Sequence, residues 1–244
     1  MSKGLFQQYE FPIYPQEIDA RQNLRLTSLC NYILNTAGYA AIENGFGSLE
    51  MIERGMTWVL SRLAIEMTEL PKQYEHLCIK TWVEDYGRLF TTRHYQLFNH
   101  EGKIIGNATS LWAMIDVKTR KPINLQSMPE FNQFATGKKG EIDPAKKIRI
   151  NNCEKISSHT SSYSDIDFNN HVNSVKYIEW MLDSYHASEK LYERNMKRVE
   201  INYLHESIFG EQIDICSEET EDRVVFALKN AAGVNLCNAE IIWG

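Results

Sequence analysis

The feature that most constrains this 244-residue chain is an order of predicted elements that occurs twice. In each half, a helix with apolar residues at three- and four-residue spacing precedes segments rich in alternating apolar residues and β formers. The helices are predicted over residues 24–43 and from Asn173 to about Tyr192. This order predicts an α+β fold in which two long central helices are each wrapped by an antiparallel β-sheet. The predicted strands cover residues 9–15, 58–67, 78–83, 90–98 and 108–115, then 155–163, 198–204, 212–217, 223–229 and 235–243.

The two halves align at two constant shifts. A shift of 148 (167 − 19) places Asp19 on Asp167 and keeps the helices in register, and beyond the helix a shift of 136 (198 − 62) places Arg62 on Arg198. Because few letters are identical, the repeat depends on element order and apolar register. The other polar residues of the second half are not repeated: Asn169 aligns with Arg21, His171 with Asn23 and Glu206 with Leu70.

The polar residues before the second helix predict a catalytic site. In an extended backbone, Asp167, Asn169 and His171 would share one face, because alternate side chains point the same way. The start of the helix adds free N–H groups and the positive end of its dipole, which would stabilise a carbonyl oxygen that gains negative charge. The alternative is structural, since Asp and Asn often cap helices. Capping accounts for Asn173 but not for the whole run.

Composition and charge argue against several classes of protein. A net charge of −6 argues against nucleic-acid binding, and the chain has no apolar run of 18 residues and no apolar signal core at its start. We therefore expect no membrane insertion and a cytoplasmic location. The five cysteines are scattered and lack Cys-x-x-Cys spacing, so they are predicted to be thiols in a reducing compartment rather than disulfides or metal ligands.

The region between the halves is predicted to be a linker. The predicted division is an N-terminal domain over residues 1–130, a linker over residues 131–149 and a C-terminal domain over residues 150–244. The linker contains turn residues and basic residues. A solvated connection is the simpler interpretation, and a landing site for an acidic partner is the functional one. The basic residues are Lys138, Lys139, Lys146, Lys147 and Arg149.

Residues 167–177, DFNNHVNSVKY, followed by Trp180, closely resemble the motif of the acyl-acyl-carrier-protein thioesterases of plants and bacteria. Residues 58–62 and 81–83 also resemble the first half of that family, so the resemblance covers nearly the whole chain. It implies a tandem (double) hotdog fold. It also implies hydrolysis of the thioester of fatty acyl-acyl carrier protein, which releases free fatty acid and terminates chain elongation.

The resemblance assigns catalytic positions to Asp167, Asn169 and His171, and residues 201–207, INYLHES, place Glu206 on the family's catalytic carboxylate. The sequence departs from the family pattern at Ser207, which replaces a cysteine, at residues 204–205, which replace an arginine pair, and at Ser174, which replaces an asparagine.

Without a thiolate at position 207 and without a Gly-x-Ser-x-Gly elbow, attack by water is favoured over attack by Ser207. We expect Glu206, assisted by His171, to activate the water, although the sequence leaves open which of the two is the general base. Asn169 would hold the water or the carbonyl, and Asp167 would orient its neighbours. Oxyanion stabilisation is expected from the backbone N–H groups of Val172 and Asn173.

The resemblance also implies an apolar tunnel for the acyl chain and a docking site for acidic acyl carrier protein. We expect no cofactor and no metal. The tunnel candidates are Trp58, Met56, Ile33 and Ala37, each of which is also accounted for as ordinary core. The docking candidates are Lys138, Lys139, Lys146 and Lys147.

Two other functions fit the same fold less well. A hotdog hydratase would pair Asp and His across an intervening proline, which residues 167–171 lack. A non-catalytic acyl-thioester sensor would carry an added binding segment, which the sequence does not show. Acyl chain length and saturation, preference for carrier protein or coenzyme A, and the formation of a homodimer are left open.

Overall fold

The computed structural model describes residues 4–150, 153–185 and 194–244. It divides into two compact units, of which the first ends at Pro144 and the second begins at Ala145. Each unit contains one antiparallel sheet and a helix that precedes most of its strands, which confirms the predicted α+β fold of tandem hotdog type. The predicted domain bounds of 1–130, 131–149 and 150–244 stay a prediction.

The first unit has its strands in the order β1-β3-β4-β5-β2, every neighbouring pair antiparallel. The buried face of α1 includes Leu29, Cys30 and Ile33, none of which is exposed to solvent. Tyr32 ties the helix to the first strand, because its hydroxyl donates to the carbonyl of Pro12 at 3.1 Å. The elements are β1 (Phe6–Pro12), α1 (Leu26–Glu43), α2 (Ser48–Glu53), β2 (Met56–Met67), β3 (His76–Tyr86), β4 (Thr91–Phe98) and β5 (Ile104–Asp116).

An aromatic cluster closes the core of this unit beyond β5. A 3-10 helix over Pro129–Phe134 buries Phe131 and Phe134 against Phe46, with ring centroids 5.3 Å and 5.1 Å apart. The start of the predicted linker is therefore packed into the core, since burial of two phenylalanine side chains stabilises it there.

The second unit has its strands in the order β7-β10-β9-β8-β6, again with every neighbouring pair antiparallel. Its helix buries residues at the three- and four-residue spacing that the sequence predicts, among them Tyr177, Ile178 and Met181. The elements are β6 (Glu154–Thr160), α3 (Ser174–Asp183), β7 (Met196–Tyr203), β8 (Gln212–Glu219), β9 (Arg223–Asn230) and β10 (Asn235–Trp243).

Two elements predicted in this unit extend well beyond the observed ones, whereas the other bounds differ by at most two residues. The strand predicted to reach Tyr163 ends at Thr160, because Tyr163–Asp165 form a 3-10 turn capped by Ser162. The predicted helix to Tyr192 is observed as α3, which ends at Asp183, and the rest of that prediction lies largely in 186–193, outside the described residues. Within the described chain, no helix is long and apolar enough to cross a membrane.

Candidate active site

The polar run before α3 forms a tight turn built on one carboxylate. Asp167 Oδ1 accepts the backbone N–H groups of Asn169 at 2.8 Å and His171 at 3.4 Å, and the Asp167 N–H donates to the His171 carbonyl at 2.8 Å. Asn170 has a φ of 61°, which the turn requires and which asparagine tolerates. The predicted extended backbone is therefore wrong, because a carboxylate that satisfies two nearby N–H groups favours a turn over a strand.

The turn brings His171 to Glu206. The Val172 N–H donates to the Ser207 carbonyl at 2.8 Å, so the two segments lie side by side. As a result, His171 Nε2 and Glu206 Oε2 are 3.5 Å apart. The Glu206 side chain is 42% exposed and that of His171 is 25% exposed, so water reaches the pair. An imidazole beside a solvent-accessible carboxylate is an arrangement suited to general acid–base chemistry.

Asn169 lies on the same turn. Its side chain is half-buried, and no hydrogen bond joins its carboxamide to another residue of the described part of the second unit. A carboxamide offers both a donor and an acceptor, so this group is suited to bind a polar atom of a ligand.

The N–H groups predicted to form the oxyanion hole are already bonded. The Val172 N–H donates to Ser207, as described above, and the Asn173 N–H donates to the Asp165 carbonyl at 2.8 Å. We therefore correct that prediction, because both groups hold the loop in place and are occupied as donors.

Ser207 is not arranged to act as a nucleophile. The residue is fully buried, and its hydroxyl donates to Glu211 Oε2 at 2.6 Å. Burial works to raise the pKa of the Glu211 carboxyl, but the hydrogen bonds it accepts, first of all from Ser207, outweigh burial and lower the pKa. Glu211 thus stays ionised as the acceptor that fixes the Ser207 hydroxyl.

Asp165 holds the candidate site together and was not among the predicted site residues. Its Oδ2 accepts the Ser162 N–H and hydroxyl, both at 2.8 Å, and His159 Nε2 at 3.3 Å. Its carbonyl also holds Asn173 at the start of α3, so one buried residue joins both ends of the loop built on Asp167. Burial works to raise the pKa of Asp165, but hydrogen bonds, chiefly from Ser162, lower it overall. The Ser-x-x-Asp spacing of a capping box was the signal in the sequence.

The predicted tunnel residues lie in the first unit. Trp58 and Met56 pack beside its aromatic cluster, and Trp58 Nε1 donates to the Phe46 carbonyl at 3.1 Å. Ile33 and Ala37 lie on the buried face of α1. These contacts are those of core residues, and their part in binding an acyl chain stays a prediction.

The predicted docking lysines of the first unit are exposed on a segment fixed to its sheet. Trp82 Nε1 donates to the Lys138 carbonyl at 2.8 Å, and Lys138 Nζ lies 4.9 Å from the centre of the Trp82 ring. The Thr136 N–H bonds to Val83 at 2.9 Å. Lys138 and Lys139 are therefore presented at fixed positions, whereas a mobile linker would leave them unplaced.

The predicted docking lysines of the second unit are also exposed and also anchored. Buried Glu200 accepts the Lys146 N–H at 2.6 Å, and Asn202 Nδ2 donates to the Lys146 carbonyl at 2.9 Å. Ile148 is buried next to them, with its N–H bonded to Asn202 at 2.8 Å. Lys147 lies between these anchors with its side chain exposed.

Both units match known protein domains. Residues 4–131 match the acyl-ACP thioesterase N-terminal domain, and residues 148–244 match the acyl-ACP thioesterase C-terminal domain. A chloroplastic palmitoyl-acyl carrier protein thioesterase of Gossypium hirsutum is 30% identical over 204 residues, which cover 74% of this chain and 47% of that protein. The chain thus spans about half the length of the curated plant relatives it matches.

Solved structures extend the likeness over the whole chain. The crystal structure of an acyl-ACP thioesterase from Bacteroides thetaiotaomicron is 35% identical, with a TM-score of 0.91 and full coverage of both chains, at 100% each. The 12:0-ACP thioesterase from Umbellularia californica shares the fold at 19% identity, with a TM-score of 0.85 and coverage of 99% of this chain and 98% of that one. Both halves of the sequence match, and the chain belongs to the acyl-ACP thioesterase family.

Proposed function

We propose that the protein hydrolyses the thioester of fatty acyl-acyl carrier protein, which releases free fatty acid and terminates chain elongation. The observation that carries this proposal is the distance of 3.5 Å between His171 Nε2 and Glu206 Oε2. His171 lies on a turn whose sequence resembles the family motif. The family matches over both units support it.

In the proposed reaction, a water molecule between the pair and the substrate attacks the thioester carbonyl carbon. Glu206 or His171 takes the proton of that water as the C–O bond forms, and general-base catalysis of this kind contributes about 10²–10⁴ in rate. The tetrahedral intermediate then collapses, the C–S bond breaks, and the proton passes to the departing sulfur. The products are a fatty acid and the free thiol of the carrier, so protons balance without a redox step.

The other residues of the turn have separate parts. The Asn169 carboxamide binds the carbonyl oxygen or the attacking water, in place of the Val172 and Asn173 N–H groups that the fold already uses. Asp167 positions Asn169 and His171 through their backbone N–H groups. The hydroxyl of Ser207 stays bonded to Glu211, which supports direct attack by water over an acyl-enzyme.

Two parts of the substrate have candidate binding residues. The acyl chain takes an apolar site lined by side chains such as Trp58, Met56, Ile33 and Ala37. The carrier protein, which is acidic, docks on exposed lysines, for which Lys138, Lys139, Lys146 and Lys147 are the candidates. A homodimer and a cytoplasmic location stay predictions.

Release of free thiol from a panel of acyl-carrier-protein and acyl-coenzyme A thioesters tests the proposed function. We expect release that favours carrier protein, with a chain-length optimum that identifies the acyl group, and loss of release in His171→Ala. Binding of thioesters by the folded wild type without any thiol release would contradict hydrolysis and favour the sensor.

A further inference from the structure

Two of the three cysteines of the second unit, Cys153 and Cys216, belong to neighbouring segments of its sheet. Cys216 is in β8, where it is paired with Lys155 of β6. Cys153 comes two residues before Lys155, so its side chain lies on the same face of the sheet and diagonally across from Cys216. The Cys153 thiol neighbours the Cys216 thiol and contributes to raising its pKa.

A lysine completes the cluster. Lys229, in the neighbouring strand β9, points its Nζ at Cys153 Sγ across 3.5 Å. The ammonium group places a hydrogen-bond donor and a positive charge at this sulfur, and the thiolate is the form of a thiol that reacts with oxidants. Asp214, paired with Lys229 on the adjacent strand, is itself bonded to Lys155 at 2.7 Å.

The two thiols differ in exposure. Cys153 is partly exposed, whereas Cys216 is buried, with 7% of its surface accessible. Burial raises the pKa of the Cys216 thiol to about 11, and the neighbouring Cys153 adds to the increase. Cys153 is therefore the sulfur that an oxidant in solution reaches first, and Cys216 is a thiol held beside it.

We propose that Cys153 and Cys216 form a reversible disulfide when the protein meets a peroxide. The Cys153 thiolate attacks one peroxide oxygen, the O–O bond breaks, and a sulfenic acid forms with release of water. The Cys216 sulfur then attacks the sulfenic sulfur and displaces a second water, while its proton leaves with the departing hydroxyl. Two thiols are oxidised, one peroxide is reduced, and a thiol reductant reverses the change.

The disulfide would enclose the catalytic segments in a covalent ring. The ring from Cys153 to Cys216 contains both His171 and Glu206. It would also fix β6, the edge strand that leads into the catalytic loop, to β8. Cross-links of this kind restrict the unfolded chain, so the oxidised protein is expected to have a higher Tm than the reduced protein.

Thiol counting after mild treatment with hydrogen peroxide tests the proposal on the full chain. Under denaturing conditions, we expect the number of free thiols to fall from five to three. The mass should fall by two hydrogen atoms, a peptide pair should link Cys153 to Cys216, and dithiothreitol should restore all the thiols. These measurements use the wild-type protein and need no variant to fold.

Variants assign the roles. Cys153→Ser and Cys216→Ser should each abolish the disulfide, whereas Cys78→Ser, which removes another partly exposed thiol, should leave it unchanged. Lys229→Met should slow peroxide consumption severalfold, and Lys155→Met, on the same face, should not. Five free thiols after treatment, an oxygenated Cys153 beside a free Cys216, or a covalent bridge between Cys153 and Lys229 would each overturn the proposal.

Discussion

The loop before α1 and the loop before α3 have the same backbone conformation but present different side chains. In the first loop, Asp19 Oδ1 accepts the N–H groups of Arg21 at 2.8 Å and Asn23 at 2.9 Å, and the Asp19 N–H donates to the Asn23 carbonyl at 2.8 Å. Gln22 has a φ of 65°. Each of these features recurs 148 residues later (167 − 19) in the loop built on Asp167.

The anchors of the two loops are also repeated. The Leu24 N–H donates to the Pro71 carbonyl at 2.8 Å, as that of Val172 does to the Ser207 carbonyl. The acceptors are 136 residues apart (207 − 71), which is the second shift read from the sequence. The same turn is therefore fixed to the same neighbouring segment in each unit.

The difference lies in the side chains that this common scaffold presents. Where the second loop has His171 beside Glu206, the first has Asn23, with Leu70 at the position aligned with Glu206. The aspartate is common to both loops, including the one without the pair. The comparison indicates that Asp167 builds the turn, and we propose that the chemistry belongs to the groups that the first loop lacks.

The largest difference between the loops is expected at His171. His171→Ala should lower kcat by about 10³-fold, because it removes half of the acid–base pair. Asn23→Ala, the matched change in the first loop, should leave kcat within twofold, a bound set by ordinary surface substitutions. Thiol release from acyl-carrier protein measures both, and equal losses in the two variants would contradict the assignment.

The second largest loss of kcat is expected for a change at Glu206. Glu206→Gln keeps the shape of the side chain and removes its charge, so kcat should fall by about 10²-fold, within the usual range for general acid–base groups. Glu69→Gln, an exposed carboxylate in the segment aligned with it, is the control. Wild-type turnover in Glu206→Gln would exclude Glu206 from the reaction.

A smaller effect is expected on docking. Charge reversal at both Lys138 and Lys139 should raise KM for acyl-carrier protein several-fold with little change in kcat, because exposed charges act mainly on association. Lys197→Glu, on an exposed position of β7, controls for net charge. If KM stays unchanged, the lysines of the first unit are not the docking site, and the same double change at Lys146 and Lys147 tests the second unit.

The smallest effect concerns stability in acid. The folded-state pKa of Asp165 is lowered, so its stabilising contribution is present above the ordinary aspartate pKa of about 4 and is lost as pH falls through the lowered value. Asp165→Asn should therefore lower Tm at pH 7, and the difference from wild type should shrink in acid. Calorimetry across pH measures this, and a difference that grows in acid would contradict the sign.

The sequence alone was sufficient to predict most helices and strands and the internal repeat. Periodicity located α1 and most strands, since each has one buried face, and the two constant shifts reappear in hydrogen bonds at Asp19 and Asp167. The pairing of His171 with Glu206 was available only through the resemblance. The 3.5 Å contact depends on a backbone bond between segments that are 35 residues apart (207 − 172).

The sequence predictions that proved wrong concern details that individual hydrogen bonds determine. Alternation of polar residues at 167–171 reads as a strand, but the Asp167 carboxylate closes a turn there. The N–H groups at the helix start were expected to be free. Those of Val172 and Asn173 instead donate to carbonyls that only the folded chain brings near. Asp165 was overlooked despite its Ser-x-x-Asp spacing, because its bond to Asn173 joins it to the far end of the loop, which only the folded chain brings near.

The most direct test of the common scaffold is a set of four variants at the two aspartates. Asp19→Ala and Asp167→Ala each remove two hydrogen bonds and should each destabilise the protein by about 1–3 kcal/mol. Only Asp167→Ala should also lower kcat, because only that turn presents His171. Asp19→Asn and Asp167→Asn keep an acceptor oxygen, so Asp167→Asn should recover most of the activity. An Asp167→Asn variant as inactive as Asp167→Ala, with an intact turn, would contradict the account and assign the carboxylate charge itself to the reaction.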